Sequence, residues 1–307
     1  MIRAWYDPGF VAPIGEHIMP MRKFAMVAEE VRTFAGIQLQ TPEPVTREDL
    51  LRVHTAAYID AVRSGEPRTL AESQKFPWSP DLYASVLLTG GAAFAAAGEA
   101  LTNGISAAIV SGFHHACADH GEGFCTFNGL IVALEKLRAE GRIGRAAILD
   151  LDLHYGNGTA TLAAERPWIR AVSIYGNEYW ANTAYRDVTT RRHADGENHV
   201  SFAIPAAADG AKMSQLLDAH LPELLRDGPP DLLLYQAGAD PLRDDPYSPL
   251  ELTAEDLYAR DKAVFAFAKN HRIPIAWVLA GGYTPDTRKV VQVHVNTFRA
   301  ALDVYGN

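Results

Sequence analysis

The chain has 307 residues, 48% of them hydrophobic and 21% charged, with a formal net charge of −9. That is enough apolar material for a large core, while the acidic balance argues against direct nucleic-acid binding, which needs a basic face, and leaves a cationic substrate open. No apolar run approaches the roughly 18 residues that a membrane-spanning helix needs, and Met1–Phe10 has no signal-peptide core; with only Cys117 and Cys125 and no disulfide framework, a reducing, cytoplasmic location is expected.

The predicted elements alternate along the chain. A strand over Ile2–Tyr6 is followed by helices over Met21–Thr33, Arg47–Arg63 and Pro80–Leu101. Next come a strand over Ala107–Ser111, a helix over Phe127–Glu140, and strands over Ala146–Leu151 and Arg170–Tyr175. A helix over Lys212–Arg226, a strand over Leu232–Tyr235, a helix over Ala254–Asn270, a strand over Ile275–Leu279 and a helix over Asp286–Leu302 complete the series. The strands are continuously apolar, which suits strands buried on both faces of a mostly parallel sheet. Thr46 stands before one helix, and Thr253 with Asp256 forms a capping-box pattern before another. Gly141 and Gly228 sit where helices should stop. Ser64–Pro80 and Gly176–Asn198 read as long surface loops, of the kind that build sites. With no internal repeat or linker, the expected organisation is one α/β domain over residues 1–307, a mostly parallel central sheet with helices on both faces.

In open sheets of this kind, ligands bind beyond the carboxyl ends of the strands. Four strands end in functional side chains. After the strand ending at Leu151, Asp150, Asp152 and His154 alternate with leucines, so three ionisable groups share one face of an extended segment. Unpaired carboxylates inside a fold are costly, so the run is either a metal site or a strand end with solvated polar residues. After Leu234, the run Tyr-Gln-Ala-Gly-Ala-Asp brings Asp240, either a third ligand or an ordinary turn or cap residue. Ser-Gly-Phe-His-His-Ala (111–116) carries His114 and His115, either an acid/base pair tuned by different partners or one buried and one exposed histidine. Leu-Ala-Gly-Gly-Tyr (279–283) permits a tight, close-approaching turn at Gly281 and Gly282 before Tyr283, whose hydroxyl could serve a developing oxyanion.

Together these segments resemble the histone-deacetylase superfamily, which shares its fold with arginases, and they occur in that family's order across nearly the whole chain. The resemblance implies Asp152, His154 and Asp240 as ligands of one zinc ion, an open three-ligand site. It implies His114 and His115 as the proton-transfer pair, with Asp150 and Asn157 as their respective partners, and Tyr283 as the transition-state tyrosine. Phe124, with Gly123 beside it, matches one wall of an acyl-lysine tunnel, and Gly281 and Gly282 border the reacting group. A structural potassium ion is implied near Asp152, with Ser173 close by. His-Ile-Met-Pro-Met-Arg-Lys-Phe (17–24) and Phe-Pro-Trp-Ser-Pro (76–80) are similar to the class IV-like bacterial branch, and Asn at 157 is similar to the class II and class IV branches. The sequence departs from eukaryotic class I members after Tyr175, where Tyr179 and Trp180 are the candidates for a second tunnel wall.

The implied activity is zinc-dependent hydrolysis of an acylated amine: an acyl-lysine peptide or protein, an acylated polyamine, or a small molecule. Two rivals are a binuclear manganese ureohydrolase, which would need a further carboxylate ligand at position 156, where this chain has Gly, and a non-catalytic acyl-amine binding module.

Overall fold

The computed structural model describes residues 1–15, 17–176 and 196–306. Among them are eight strands: β1 (Ile2–Trp5), β2 (Ile37–Gln40), β3 (Ile105–Ser111), β4 (Ala146–Asp150), β5 (Ile169–Tyr175), β6 (His199–Ala203), β7 (Leu232–Ala237) and β8 (Ile275–Leu279). They form one sheet in the order β2-β1-β3-β8-β7-β4-β5-β6, and every neighbouring pair is parallel. The five strands β3, β4, β5, β7 and β8 are buried at every position, as continuous apolar runs predict. The strands that the apolar-run criterion passes over are the two edges, β2 and β6. Their partly exposed residues (Ile-Gln-Leu-Gln and His-Val-Ser-Phe-Ala) break the run.

Ten helices accompany the described strands: α1 (Lys23–Val31), α2 (Arg47–Leu50), α3 (Ala56–Ser64), α4 (Arg68–Ala71), α5 (Pro80–Asn103), α6 (Gly129–Ala139), α7 (Asn157–Ala164), α8 (Gly210–His220), α9 (Ala254–Asn270) and α10 (Thr287–Tyr305). One group has α5 at its centre, packed on β3, β1, α3 and α6; the other is built from α1, α8, α9 and α10. The sheet lies between these layers, the α/β arrangement with helices on both faces.

Several predicted boundaries move for identifiable reasons. The single helix over 47–63 is two helices, because Thr55 is extended and caps α3 by accepting from Tyr58 N, while His54 turns inward. The helix over 212–226 starts two residues earlier, capped by Asp209, and ends at His220, where Pro222 leaves only a 3-10 turn. The stretch 64–80 contains α4, and α7 occupies a segment where no helix was expected. The expectation about membrane spans is also corrected: α5 is long and apolar enough to cross a bilayer by length and composition alone. It is a core helix here, with 61% of its most apolar window buried against the sheet and α6.

The strand order places the site. The segments after β3, β4, β7 and β8 are scattered over about half the sequence, yet these four strands are adjacent at the centre of the sheet, in the order β3-β8-β7-β4. Their carboxyl ends converge at the point where the chain, having laid β3 beside β1, leaves room for β8 and β7 before adding β4.

Candidate active site

Asp152, His154 and Asp240 are buried, and one potential ligand atom from each lies within 4.8 Å of the others. His154 Nδ1 is 3.0 Å from Asp240 Oδ2 and 3.2 Å from Asp152 Oδ1. Strand β4 ends at Asp150, one residue short of the expected Leu151, so strand alternation alone does not bring these groups together. Backbone-to-carboxylate bonds do: Asp152 N donates to Asp150 Oδ1 at 3.0 Å and His154 N to Asp152 Oδ1 at 2.9 Å. Leu153 N donates to Asp240 Oδ1 at 3.0 Å and Gly281 N to Asp152 Oδ2 at 2.8 Å, tying all three chain segments to one point. Gly281 permits this because a Cβ there would overlap Asp240 Oδ2.

The local field is strongly negative. Burial pushes the Asp240 carboxyl up to about 7, and the neighbouring Asp152 charge adds to the shift. Burial acts against protonation of His154, yet the two carboxylates raise it to about 10. The set offers two hard oxygens and one imidazole nitrogen, a donor chemistry that suits Zn²⁺ and neighbouring divalent metals.

The paired histidines sit beside this group with different partners. His114 Nδ1 is 2.7 Å from Asp150 Oδ2, and its Nε2 is 3.8 Å from Asp152 Oδ1. Burial disfavours its charge, but Asp150 and Asp152 outweigh that and raise its pKa. His115 Nδ1 is 2.7 Å from the neutral Asn157 Oδ1, and burial with two neighbouring histidines holds its pKa well below the ordinary value. The rings of His114 and His115 are 4.0 Å apart and that of His115 is 6.1 Å from His154.

Tyr283 follows Gly282, whose φ of 136° is open to glycine and whose Cβ would stand 2.6 Å from Val290 Cγ1. The Tyr283 ring lies 6.1 Å from His154 and 6.2 Å from Phe124. Burial and the Asp240 and Asp152 charges keep its hydroxyl protonated, far above its usual range, so it is a hydrogen-bond donor. Phe124 has a left-handed φ of 63° and follows Gly123, at φ 51°, where a side chain would run into the His115 ring. Phe76 stacks on Phe124 at 5.6 Å and His17 meets it edge-on at 4.8 Å, so the segments 17–24 and 76–80 both contribute to this aromatic wall. A narrow cavity reaches His114, His115, Asp152 and Tyr283 between Met19 and Phe124, and Met19 also borders a wider hollow of about 820 Å³ formed by the N-terminal segment. Tyr179 and Trp180, the candidates for the second wall, lie outside the described residues.

The histone deacetylase domain pattern matches residues 17–298. The chain belongs to the histone deacetylase family. An uncharacterised protein of Picosynechococcus sp. is 30% identical over 305 residues, 98% of each chain. The histone deacetylase-like amidohydrolase of Pseudomonas aeruginosa is 28% identical over 294 residues, 92% of this chain and 76% of that one. In fold, the structure resembles the acetylpolyamine aminohydrolase of Burkholderia pseudomallei, with a TM-score of 0.79, 21% identity and 99% of each chain covered. The fold is that of the arginases and deacetylases, and the protein is a hydrolase of the histone-deacetylase-like type.

Within this histone deacetylase fold, several functional neighbours have no clear sequence signal. Asp245 accepts from Tyr283 N at 2.6 Å and from Tyr247 N at 3.0 Å, anchoring the backbone of both tyrosines. Tyr247 sets its ring 5.4 Å from Tyr283 and 6.1 Å from His154. Lys23 is buried with Nζ 2.6 Å from Ala280 O, supporting the turn before Tyr283. Arg260 donates to Leu151 O and Gly238 O, carbonyls close in sequence to Asp152 and Asp240. Lys23 falls in the 17–24 run, whereas Asp245, Tyr247 and Arg260 belong to segments whose local pattern is that of an ordinary loop or helix, and only the fold brings them to the site.

Proposed function

We propose that the protein is a zinc-dependent deacylase that hydrolyses the amide of an acylated amine, with acyl-lysine as the leading substrate class. The observation that carries this reading is the meeting of three features at one narrow cavity, which reaches Asp152, His114, His115 and Tyr283. A buried Asp-His-Asp set stands beside two histidines with unlike partners and a protonated tyrosine hydroxyl. Asp152, His154 and Asp240 fit one divalent ion; when bound, it would supply a Lewis acid for the amide carbonyl and for the attacking water. Iron or cobalt suits the same donors. For the implied potassium, Ser173 Oγ is buried without a hydrogen-bond partner among the described residues, in register with Asp150 on the neighbouring strand. That unsatisfied oxygen fits a monovalent cation.

The residues then divide the work. His115 donates Nδ1–H to Asn157 and presents the ring's other nitrogen as base; its lowered pKa keeps it neutral until it takes a proton from the attacking water. The imidazolium so formed returns that proton to the leaving amine. His114, oriented by Asp150 and raised in pKa, supplies positive charge beside the reacting centre. The Tyr283 hydroxyl donates to the carbonyl oxygen as it becomes an oxyanion, an interaction that strengthens in the transition state. The wall of Phe124, Phe76 and His17 excludes water from the acyl group.

Turnover of a fluorogenic acyl-lysine panel, from acetyl and trifluoroacetyl to long-chain acyl, tests this. Tyr283→Phe is expected to lower kcat by about 100-fold or more, as loss of an oxyanion donor does elsewhere. Full activity in that variant would overturn the oxyanion role. Silence toward acyl-lysine with turnover of acetylated polyamines or small acylated amines would reassign the substrate class, and silence toward all three in metal-loaded protein would favour a binding module.

A further inference from the structure

Asn157 can hold His115 only one way round. An aspartate accepts a hydrogen bond with either oxygen, but an asparagine side chain has one accepting end and one donating end. With its amide turned, Asn157 would offer N–H to His115 Nδ1, and the ring would have to carry its proton on Nε2, the wrong nitrogen for a base facing the reacting group. Something must therefore fix the amide.

The group in place to do so is Glu122. Asn157 Nδ2 is 2.7 Å from Glu122 Oε2, and Asn157 Oδ1 is 2.7 Å from His115 Nδ1. A carboxylate only accepts, so it selects the NH₂ end of the amide and turns the carbonyl oxygen toward the histidine. Glu122 is itself held. Its backbone oxygen accepts from Cys125 N at 2.7 Å, and its other carboxylate oxygen lies 3.2 Å from His120 Nε2. His120 Nδ1 in turn is 2.6 Å from Asp119. The next residue, Gly123, packs directly on the His115 ring, where a Cβ would collide with it. One short turn thus seats the ring from one side and sets its partner from the other.

We infer that Glu122 is a positioning residue for the reaction: through the Asn157 amide it fixes the Nδ1–H tautomer of His115, so that His115, Asn157 and Glu122 work as a unit. This rests on the reading of His115 as the base. A charged end on such a chain also polarises the amide and strengthens its hold on the imidazole.

The test compares Glu122→Leu, Glu122→Gln and the double variant Glu122→Leu/Asn157→Asp, in steady-state kinetics on an acetyl-lysine substrate and in the ¹⁵N shifts of His115 in metal-stripped protein. Glu122→Leu is expected to lower kcat by about 10- to 100-fold, the range seen when a supporting partner of a reacting group is removed, with KM within about twofold. Its His115 spectrum is expected to show mixed tautomers where the wild type shows Nδ1–H. Glu122→Gln keeps an accepting oxygen and should retain more activity than Glu122→Leu. Aspartate at 157 accepts with either oxygen and needs no orienting group, so the double variant should recover most of the rate and the Nδ1–H signature. A Glu122→Leu protein with wild-type kcat and an unchanged His115 spectrum would overturn the inference. The tautomer measurement needs no turnover, so a wild-type protein silent on every acylated amine would sink the deacylase reading while still leaving the role of Glu122 decided by the spectrum.

Discussion

A Cβ at Gly156 would stand 2.5 Å from Asp150 Oδ2 and 3.1 Å from His114 Nδ1. The position that a binuclear ureohydrolase would fill with a ligand is thus occupied by the Asp150–His114 pair, and an aspartate there would break it. The same economy governs His54. Its Nδ1 donates to Cys117 O at 2.9 Å and its Nε2 accepts from Asn128 N at 3.0 Å, so it is neutral and it ties down the loop that carries the two histidines. Burial pushes its pKa down to about 4. An unfolded chain takes up this proton below about pH 6.5, whereas the folded one resists until about 4, so the stability His54 contributes is present above pH 6.5 and lost as the pH falls toward 4. Between pH 7 and 5 the wild type should lose about 2 kcal/mol more than His54→Gln in urea unfolding; equal losses would contradict a buried neutral histidine. Among single residues, those with chemistry-bearing side chains in tight runs were legible in the sequence: Asp150, Asp152, His154, the histidine pair and Tyr283 all stand in such runs. Asp245, Tyr247 and Glu122 were not. They act through contacts that cross loops or long stretches of chain, such as Asp245 with the amide of Tyr283, 38 residues away.

Helix α9 supports the site from behind through an unusual pair of charges. Arg260 and Asp261 are both fully buried. Asp261 accepts from Tyr235 Oη at 2.5 Å, Thr297 Oγ1 at 2.6 Å and Arg260 Nε at 2.8 Å, while Arg260 reaches Gly238 O at 2.8 Å and Leu151 O at 3.2 Å. The helix thereby joins β7, α10 and the two loops that end in Asp152 and Asp240. Arg260→Met removes one charge of the pair and leaves two buried carbonyls without this donor, and it is expected to cost about 3–5 kcal/mol. A lower urea midpoint measures this; an unchanged midpoint would mean that the pair contributes nothing. Element type was legible where the pattern was strong. The capping box of Thr253 and Asp256 and a second one at Thr46 and Asp49 both form. It was not legible where tertiary contacts override the local pattern, as at the extended Thr55, whose amide bonds Ala118 O and splits the expected helix in two.

For the whole molecule, the sheet order is what turns four separate segments into one site. Continuous apolar strands and alternating helices made a parallel α/β sheet legible. They carried no information on β8 and β7 lying between β3 and β4, because that order is fixed by side-chain packing between residues far apart in the chain. Once those four strands lie side by side, Asp152, His154 and Asp240 form one buried cluster, and Asp152 shares a pocket with His114, His115 and Tyr283. The claim that this pocket is a one-metal deacylase centre is tested most directly by stripping the protein with a chelator and titrating zinc back while following turnover of an acetylated amine, with Asp240→Asn alongside. Stripped protein is expected to show no turnover, added zinc a rise that saturates at about one ion per chain, and the variant no recovery. Turnover that persists without metal, or that saturates only at two metals per chain, would contradict it.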